Sequence, residues 1–164
     1  IRSFTFHAFF LMLFRKQSNV EKLLTVENKE KIASAIQQAE KNTSGEVRVH
    51  IESKTKKKKS AFDRAIEVFH QLGMQETKLR NGVLVYVALD DRQFAIIGDQ
   101  GIHEKVGYDF WDKEKDEMST YFKQDDIIGG IVYFIEQIGV KLQKFFPYQE
   151  GDVDELSDEV SVGE

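Results

Sequence analysis

The chain has 164 residues, no cysteine and a formal net charge of −5. This length predicts one domain with a substantial hydrophobic core, and the lack of cysteine excludes disulfides, thiolate metal sites and cysteine nucleophiles. From Glu150 onward the chain carries seven acids and no base, so the body is close to neutral, which excludes a strongly basic nucleic-acid-binding protein.

The first residues form an apolar segment, residues 1–14, with the sequence IRSFTFHAFFLMLF. A bilayer span needs about 20 residues, so this segment is too short to cross a membrane. No small-residue cleavage site follows it, which makes it a poor signal peptide. We therefore expect residues 1–20 to be an N-terminal extension, with Met12 as the native start, and a cytoplasmic location. If residues 1–14 are ordered, the alternative is an amphipathic segment that packs on the domain or on a partner.

The next segments predict a helix and a strand. Thr25 is placed as an N-cap for an amphipathic helix over 26–41. Apolar and polar residues then alternate over 46–53, which is typical of a strand with one polar face.

A basic segment, Lys54–Lys59, follows and contains no apolar residue. Such a run is either a solvated loop or a contact for an acidic partner. Helical spacing resumes over 61–72, and Gly73 is placed to end that helix.

Two strands come next. The run 83–89 is apolar on both faces, as in a strand that is covered on both sides. The segments from 46 to 89 therefore predict a β-α-β unit with parallel strands. A strand over 93–98 follows a tight turn, so we expect it to run antiparallel to its predecessor.

The last third of the body predicts two helices, at about 110–122 and 127–145, the second capped by Asp125 or Asp126. The tail, 149–164, has the acidic composition of a disordered or loosely draped segment. Together the elements predict an α/β fold, a three-layer α/β/α sandwich around a mixed sheet of four or fewer strands.

Acidic residues are the remaining candidates for chemistry, because the four histidines are scattered without metal-ligand spacing. Asp90 and Asp91 follow the strand 83–89, and Asp99 and Asp125-Asp126 flank the next two elements. Aspartate is common in turns for conformational reasons alone. If the three loops converge, however, their oxygens suit calcium, which takes six to eight oxygen ligands at flexible geometry.

Four segments resemble the TPM domain family, which includes thylakoid-lumen proteins of photosystem II repair and stand-alone bacterial proteins. They are Asn42–Val49, Asn81–Arg92, Gly98–Ile102 and Phe122–Gly130. The resemblance implies an α/β/α sandwich over residues 21–148 and a cation site, chiefly for calcium, built by loop carboxylates.

Carried over by position, Asp90 and Asp91 match the acidic turn of the family, and Asp126 matches an acid that usually follows a glycine. Asp125 replaces that glycine here, and Asp99 falls at a position that varies. The predicted metal ligands are therefore Asp90, Asp91, Asp99 and Asp126, with Ca²⁺ as the expected ion and other divalent cations as alternatives.

Three functions are compatible with these features. The one we favour is a non-catalytic, calcium-binding domain of structural or regulatory role. The alternative is a metal-dependent phosphatase in which Arg92 binds phosphate, which the resemblance implies because some members of the family, those from plants, are described as acid phosphatases. The third is a protein-interaction module that uses the acidic tail or the lysine segment. We expect a monomer, with no nucleic-acid partner and no membrane span.

Overall fold

The computed structural model describes residues 17–163. The predicted extension up to residue 16 and the final Glu164 lie outside the described residues. In chain order the elements are α1 (Asn19–Leu23), α2 (Val26–Glu40), β1 (Glu46–Glu52), α3 (Ala61–Gln71), β2 (Gly82–Ala88), β3 (Gln93–Gly98), α4 (Gln100–Lys123), α5 (Ile127–Phe145) and β4 (Ser161–Val162).

The strands form one mixed, four-stranded sheet in the order β3-β2-β1-β4. Strands β1 and β2 are parallel, with Val49 opposite Val85, and α3 connects them. Strand β3 returns antiparallel to β2, so Gly98 lies opposite Val83. The predicted β-α-β unit, the antiparallel third strand and the upper limit of four strands are confirmed.

Helices cover both faces of this sheet, which confirms the predicted α/β/α sandwich. The larger core lies between the sheet and α1, α2, α4 and α5, and it includes Ile32, Met118 and Phe134. The smaller core lies under α3, where Leu84 and Tyr86 of β2 meet Ala65 and Phe69. Strand β2 contributes to both cores, which is why its sequence is apolar on both faces.

Side-chain caps set the starts of several helices. Thr25 accepts a 3.1 Å hydrogen bond from the Asn28 N–H, as the sequence predicts. Ser18 and Glu21 form a capping box at α1, and Val20 inside that helix is buried. Residues 18–20, which the sequence suggested were part of an extension, therefore belong to the folded domain.

Helix α4 begins ten residues earlier than the sequence predicts, at Gln100 rather than near Phe110. Asp99 is its N-cap and accepts a 2.8 Å hydrogen bond from the Gln100 N–H. The helix is interrupted at Gly107, where φ is 74° and ψ is 173°. Glycine adopts this left-handed conformation without the steric cost that a Cβ imposes, so the helical spacing before 110 is broken at this residue.

The acidic tail, for which the sequence predicts a disordered or loosely draped segment, packs against the domain. Strand β4 pairs in parallel with β1, with Ser161 opposite His50, and the Gly163 N–H donates a 3.1 Å hydrogen bond to the Ile51 carbonyl. Leu156 and Val160 pack on the two cores. These apolar contacts and backbone pairs hold the tail despite its charge.

Candidate functional site

The adjacent carboxylates Asp90 and Asp91 lie in the β2–β3 turn but bind different parts of the molecule. Oδ1 of Asp90 accepts a 2.7 Å hydrogen bond from the side-chain amide of Asn19, at the start of α1. Oδ2 of Asp91 accepts from both the N–H and the hydroxyl of Thr55, in the loop before α3. The pair is therefore divided between the two helical layers, with Asp90 bound to α1 and Asp91 bound to the loop before α3.

The α4–α5 loop brings a third carboxylate to the same region. Asp125 lines a cleft of about 1,040 Å³ together with Asp90, which is exposed. Asp125 has φ of 58°, in the left-handed region that favours glycine. This conformation agrees with the glycine that the resemblance implies at this position.

Asp126 has a structural role. Its Oδ1 accepts a 2.9 Å hydrogen bond from the Gly129 N–H, which caps α5 as predicted. The residue lines a groove between α2 and α5, next to the cleft that holds Asp90. Asp125 lines both depressions, as do Leu23 and Ile127.

The expectation that Asp99 lies beside Asp90 is wrong. Because β3 runs antiparallel to β2, its last residue returns to the start of β2, and the Asp99 N–H donates to the Gly82 carbonyl. Asp99 is 7% exposed and holds Arg80 through two hydrogen bonds of 2.7 and 2.9 Å. It lies at the opposite end of the sheet from Asp90 and is already paired.

The cleft combines acidic with basic groups. Besides Asp90 and Asp125, it is lined by the cations Lys22, Lys54, Arg92 and Lys123. In the described part of the chain, Oδ2 of Asp90 and both oxygens of Asp125 accept no hydrogen bond. The open oxygens can take a metal, and the surrounding cations can bind an anionic group.

A separate acidic cluster escaped the sequence analysis. One oxygen each from Glu40, Glu46 and Asp154 lies within 4.8 Å of the others. Among residues 17–163, these are the three acidic or histidine side chains that lie close enough together to share a metal ion. The last residue of α2, the first residue of β1 and the tail meet there. The spacing of these three residues in the sequence does not predict that they meet.

Burial shapes the electrostatics of this cluster. Burial raises the pKa of Glu40 to about 9, against the hydrogen bond that its carboxylate accepts from the Val47 N–H. Burial likewise raises the pKa of Glu46 to about 7, and the neighbouring Asp154 and Glu155 add to the shift. Both groups are thus costly to ionise without a counter-cation.

The sheet also buries an ion pair that sequence patterns did not indicate. Arg64 of α3 donates hydrogen bonds of 2.8 and 3.0 Å to the two oxygens of Glu52, and Tyr86 donates to the same carboxylate. Burial raises the pKa of Glu52, but the hydrogen bonds from Arg64 and Tyr86 outweigh it, so the pKa is held below its usual value. This network is satisfied and fixes α3 on the sheet.

Comparisons with known proteins agree with this fold. A model of the TPM domain matches residues 18–141. Among curated proteins, none matches the chain. Within residues 17–163, no helix has both the length and the apolar character needed to span a bilayer.

Solved structures give three informative likenesses. The BA42 protein from the psychrophilic bacterium Bizionia argentinensis is 48% identical, with a TM-score of 0.80 over 90% of this chain and 100% of that one. An N-terminal domain from P. gingivalis is 18% identical, with a TM-score of 0.62 over 74% and 78% of the two chains. The N-terminal domain of the cg2496 protein from Corynebacterium glutamicum is 14% identical, with a TM-score of 0.59 over 80% and 81%. The last two show the fold alone.

The chain belongs to the TPM domain family. The family match and the likeness to BA42 establish this.

Proposed function

We propose that this TPM-domain protein binds a divalent cation in the cleft between the β2–β3 turn and the α4–α5 loop, with Asp90 and Asp125 as its carboxylate ligands. The observation that carries the proposal is that these two residues, from loops distant in the chain, line one cleft and leave carboxylate oxygens open. Asp91 and Asp126 do not line the cleft; Asp91 accepts hydrogen bonds from Thr55, and Asp126 accepts one from the Gly129 N–H.

Calcium is the ion that this arrangement suits best. Two carboxylates leave most positions of a six- to eight-coordinate ion to backbone carbonyls and water, which calcium accepts at flexible geometry. Affinity follows the number of charged ligands, so we expect a dissociation constant of about 0.1–1 mM, similar to other weakly charged calcium sites.

Calorimetric titration of the full, chelator-stripped chain with calcium tests this proposal. We expect saturable binding that weakens at least about tenfold in Asp90→Asn/Asp125→Asn, since each lost charge-assisted ligand costs about 1.4 kcal/mol or more. Asp116→Asn, an exposed aspartate of α4, is the matched control and should bind as the parent does. Equal affinity in the double variant would contradict the assignment.

The basic lining of the cleft favours a second candidate function, metal-dependent hydrolysis of phosphomonoesters. Lys54, Arg92 and Lys123 surround the carboxylates, and guanidinium and ammonium groups recognise phosphate oxygens. A bound divalent cation would polarise the phosphoryl group. The chain's own contribution would be to orient the phosphate through these cations.

An assay with p-nitrophenyl phosphate in calcium or magnesium separates the two functions. Hydrolysis that is lost in both Arg92→Met and the Asp90→Asn/Asp125→Asn variant would support phosphatase activity. Lys115→Met, an exposed lysine of α4, is the matched control. Calcium binding without hydrolysis would leave cation binding as the function.

A further inference from the structure

The acidic cluster beside the tail lies where three segments of the chain meet. Glu40 is the last residue of α2, Glu46 is the first residue of β1, and Asp154 belongs to the tail. Their oxygens approach within 4.8 Å of one another. All three line a cavity of about 230 Å³, which is distinct from the cleft at Asp90.

Glu46 gives an independent indication of a bound ligand. This residue is only 3% exposed. Oε1 accepts a 2.8 Å hydrogen bond from the Glu155 N–H, but Oε2 is buried and has no hydrogen-bond partner among the described residues. Buried polar atoms are almost always satisfied, so this oxygen requires an explanation.

The neighbouring cation does not supply that explanation. Arg48 is close enough for Glu40, Glu46 and Asp158 to influence it electrostatically. Its own Nε, however, is also buried without a hydrogen-bond partner in the described chain. The arginine therefore offsets part of the charge without directly coordinating the open oxygen.

We propose that Glu40, Glu46 and Asp154 form a second divalent-cation site, which fastens the C-terminal tail to the edge of the sheet. Carboxylate oxygens from three segments match the hard, oxygen-rich coordination of calcium or magnesium. A cation placed there satisfies Oε2 of Glu46 and offsets the repulsion among the carboxylates.

The position of Asp154 couples this site to the tail. The tail continues from Asp154 through the Glu155 N–H, which binds Glu46, to β4, which pairs with β1. A cation that binds only when Asp154 is in place therefore stabilises the docked tail by mass action. Magnesium or calcium would thus link the tail to the edge of the sheet.

The alternative occupant of the cluster is a proton. Burial raises the pKa of Glu40 to about 9, and the charges of Glu46 and Asp158 add to the shift, so a proton on Glu40 lowers the net charge of the cluster without a metal. The two occupants predict different responses to added cation. If the cluster holds a proton, the chemical shifts of the tail amides stay the same when calcium is added. If it holds a metal, calcium changes those chemical shifts.

Amide chemical shifts of the full, chelator-stripped chain distinguish these outcomes. We expect the amides of Val47 and Glu155 to shift saturably as calcium or magnesium is raised to about 10 mM, the range expected of weak oxygen sites. In Asp154→Asn the apparent affinity should fall at least tenfold. Asp154 is exposed, so this variant removes a ligand without disturbing the core. Glu150 is an exposed acid of the same tail, and in Glu150→Gln the amide shifts should respond to the cation as they do in the parent.

The site is independent of the cleft, and the titration keeps the two apart. In Asp90→Asn/Asp125→Asn the shifts at Val47 and Glu155 should persist, even if binding at the cleft fails. Glu46→Gln should abolish them, and its folding is checked by the dispersion of the remaining amide signals. The proposal would be overturned if the amide shifts of the parent did not respond to the cation, or if Asp154→Asn bound the cation as tightly as the parent does. Either result would leave a proton as the occupant of the cluster.

Discussion

The backbone N–H of Glu155 donates a 2.8 Å hydrogen bond to Oε1 of Glu46, a residue 109 positions earlier in the chain. This contact joins the tail to the first residue of β1 and leaves the second oxygen of Glu46 buried and open. It makes the acidic tail part of the folded domain, and it creates the cluster to which we assign a cation.

Docking of the tail has a consequence for stability. Leu156 is partly buried against the core under α3, so Leu156→Ala should lower the free energy of unfolding by about 1–2 kcal/mol. Val153 of the same tail is 73% exposed, and Val153→Ala should stay within about 0.5 kcal/mol of the parent. Urea denaturation measures both, and equal stability of the two variants would mean that the tail is not docked.

His50 makes a contribution to stability that is lost in mild acid. Burial lowers the pKa of this histidine, against the attraction of Glu52, and the charges of Arg64 and Arg48 lower it further. Its ring also contacts Ser161 of β4 and stacks on Tyr86. The unfolded chain therefore takes up a proton near pH 6.5 that the folded chain resists, so the contribution of His50 to stability falls as the pH drops below about 6.5. Glu40 and Glu46, whose pKa values burial raises to about 9 and about 7, make the opposite contribution over the same range.

The difference in the slope of stability against pH between the parent and His50→Asn, over about pH 6.5 to 5, measures this effect, with a limit of about 1.4 kcal/mol per pH unit for one proton. His50→Asn keeps a polar group near Ser161 but removes the titration, so acidification should favour its folded state more than it favours that of the parent. His70 is exposed, and His70→Asn should keep the parent slope. Identical slopes in the two variants would contradict the assignment to His50.

Asp125 allows stability and cation binding to be separated. Its left-handed backbone, with φ of 58°, costs a residue with a Cβ about 1 kcal/mol, which Asp125→Gly relieves. Glycine also adds freedom to the unfolded chain, so the stability without calcium should be equal to the parent or up to about 1 kcal/mol higher.

Calcium binding in the cleft should nevertheless weaken in Asp125→Gly, because the carboxylate is gone. Asp125→Ala removes the same carboxylate but keeps the backbone strain, and it should be less stable than the glycine variant by about 1 kcal/mol. Calcium titration and urea denaturation of the pair provide the readouts. Undiminished calcium affinity in Asp125→Gly would exclude this residue as a ligand.

Asp99 should behave differently from the cleft acids. Asp99→Asn keeps an N-cap for α4 but weakens the paired hydrogen bonds to Arg80, whose side chain is half-exposed. We expect a modest loss of stability, because the charge-assisted hydrogen bonds to Arg80 become weaker neutral ones. The heat of calcium binding should be that of the parent. If calorimetry showed that Asp99→Asn no longer binds calcium, Asp99 would have to be counted among the metal ligands.

The sequence patterns predicted most of the fold because they reflect local physics. The double-sided apolar run at 83–89 and the cap at Thr25 each correspond to an element that the structure confirms. The site was predicted less well. Antiparallel pairing of β3 takes Asp99 to the far end of the sheet, so expecting that residue beside Asp90 was inconsistent with the predicted hairpin itself.

The tail and its cluster could not be read from local patterns. Strand β4 has two residues, Ser161 and Val162, which is too short to show alternation. The approach of Asp154 to Glu46 depends on that strand and on the packing of Leu156. Such a contact arises only from tertiary structure, and the acidic composition of the tail pointed in the opposite direction.

The effect of calcium on the free energy of unfolding is the decisive test of cation binding by this protein. The full, chelator-stripped chain is unfolded in urea with and without about 10 mM calcium, where one site with a dissociation constant of about 1 mM adds about 1.4 kcal/mol. We predict that Asp90→Asn/Asp125→Asn and Glu46→Gln each lose part of this increase, and that the combined variant loses all of it. A parent that gains no stability from calcium, or a combined variant that gains as much as the parent, would contradict cation binding by this protein at these residues.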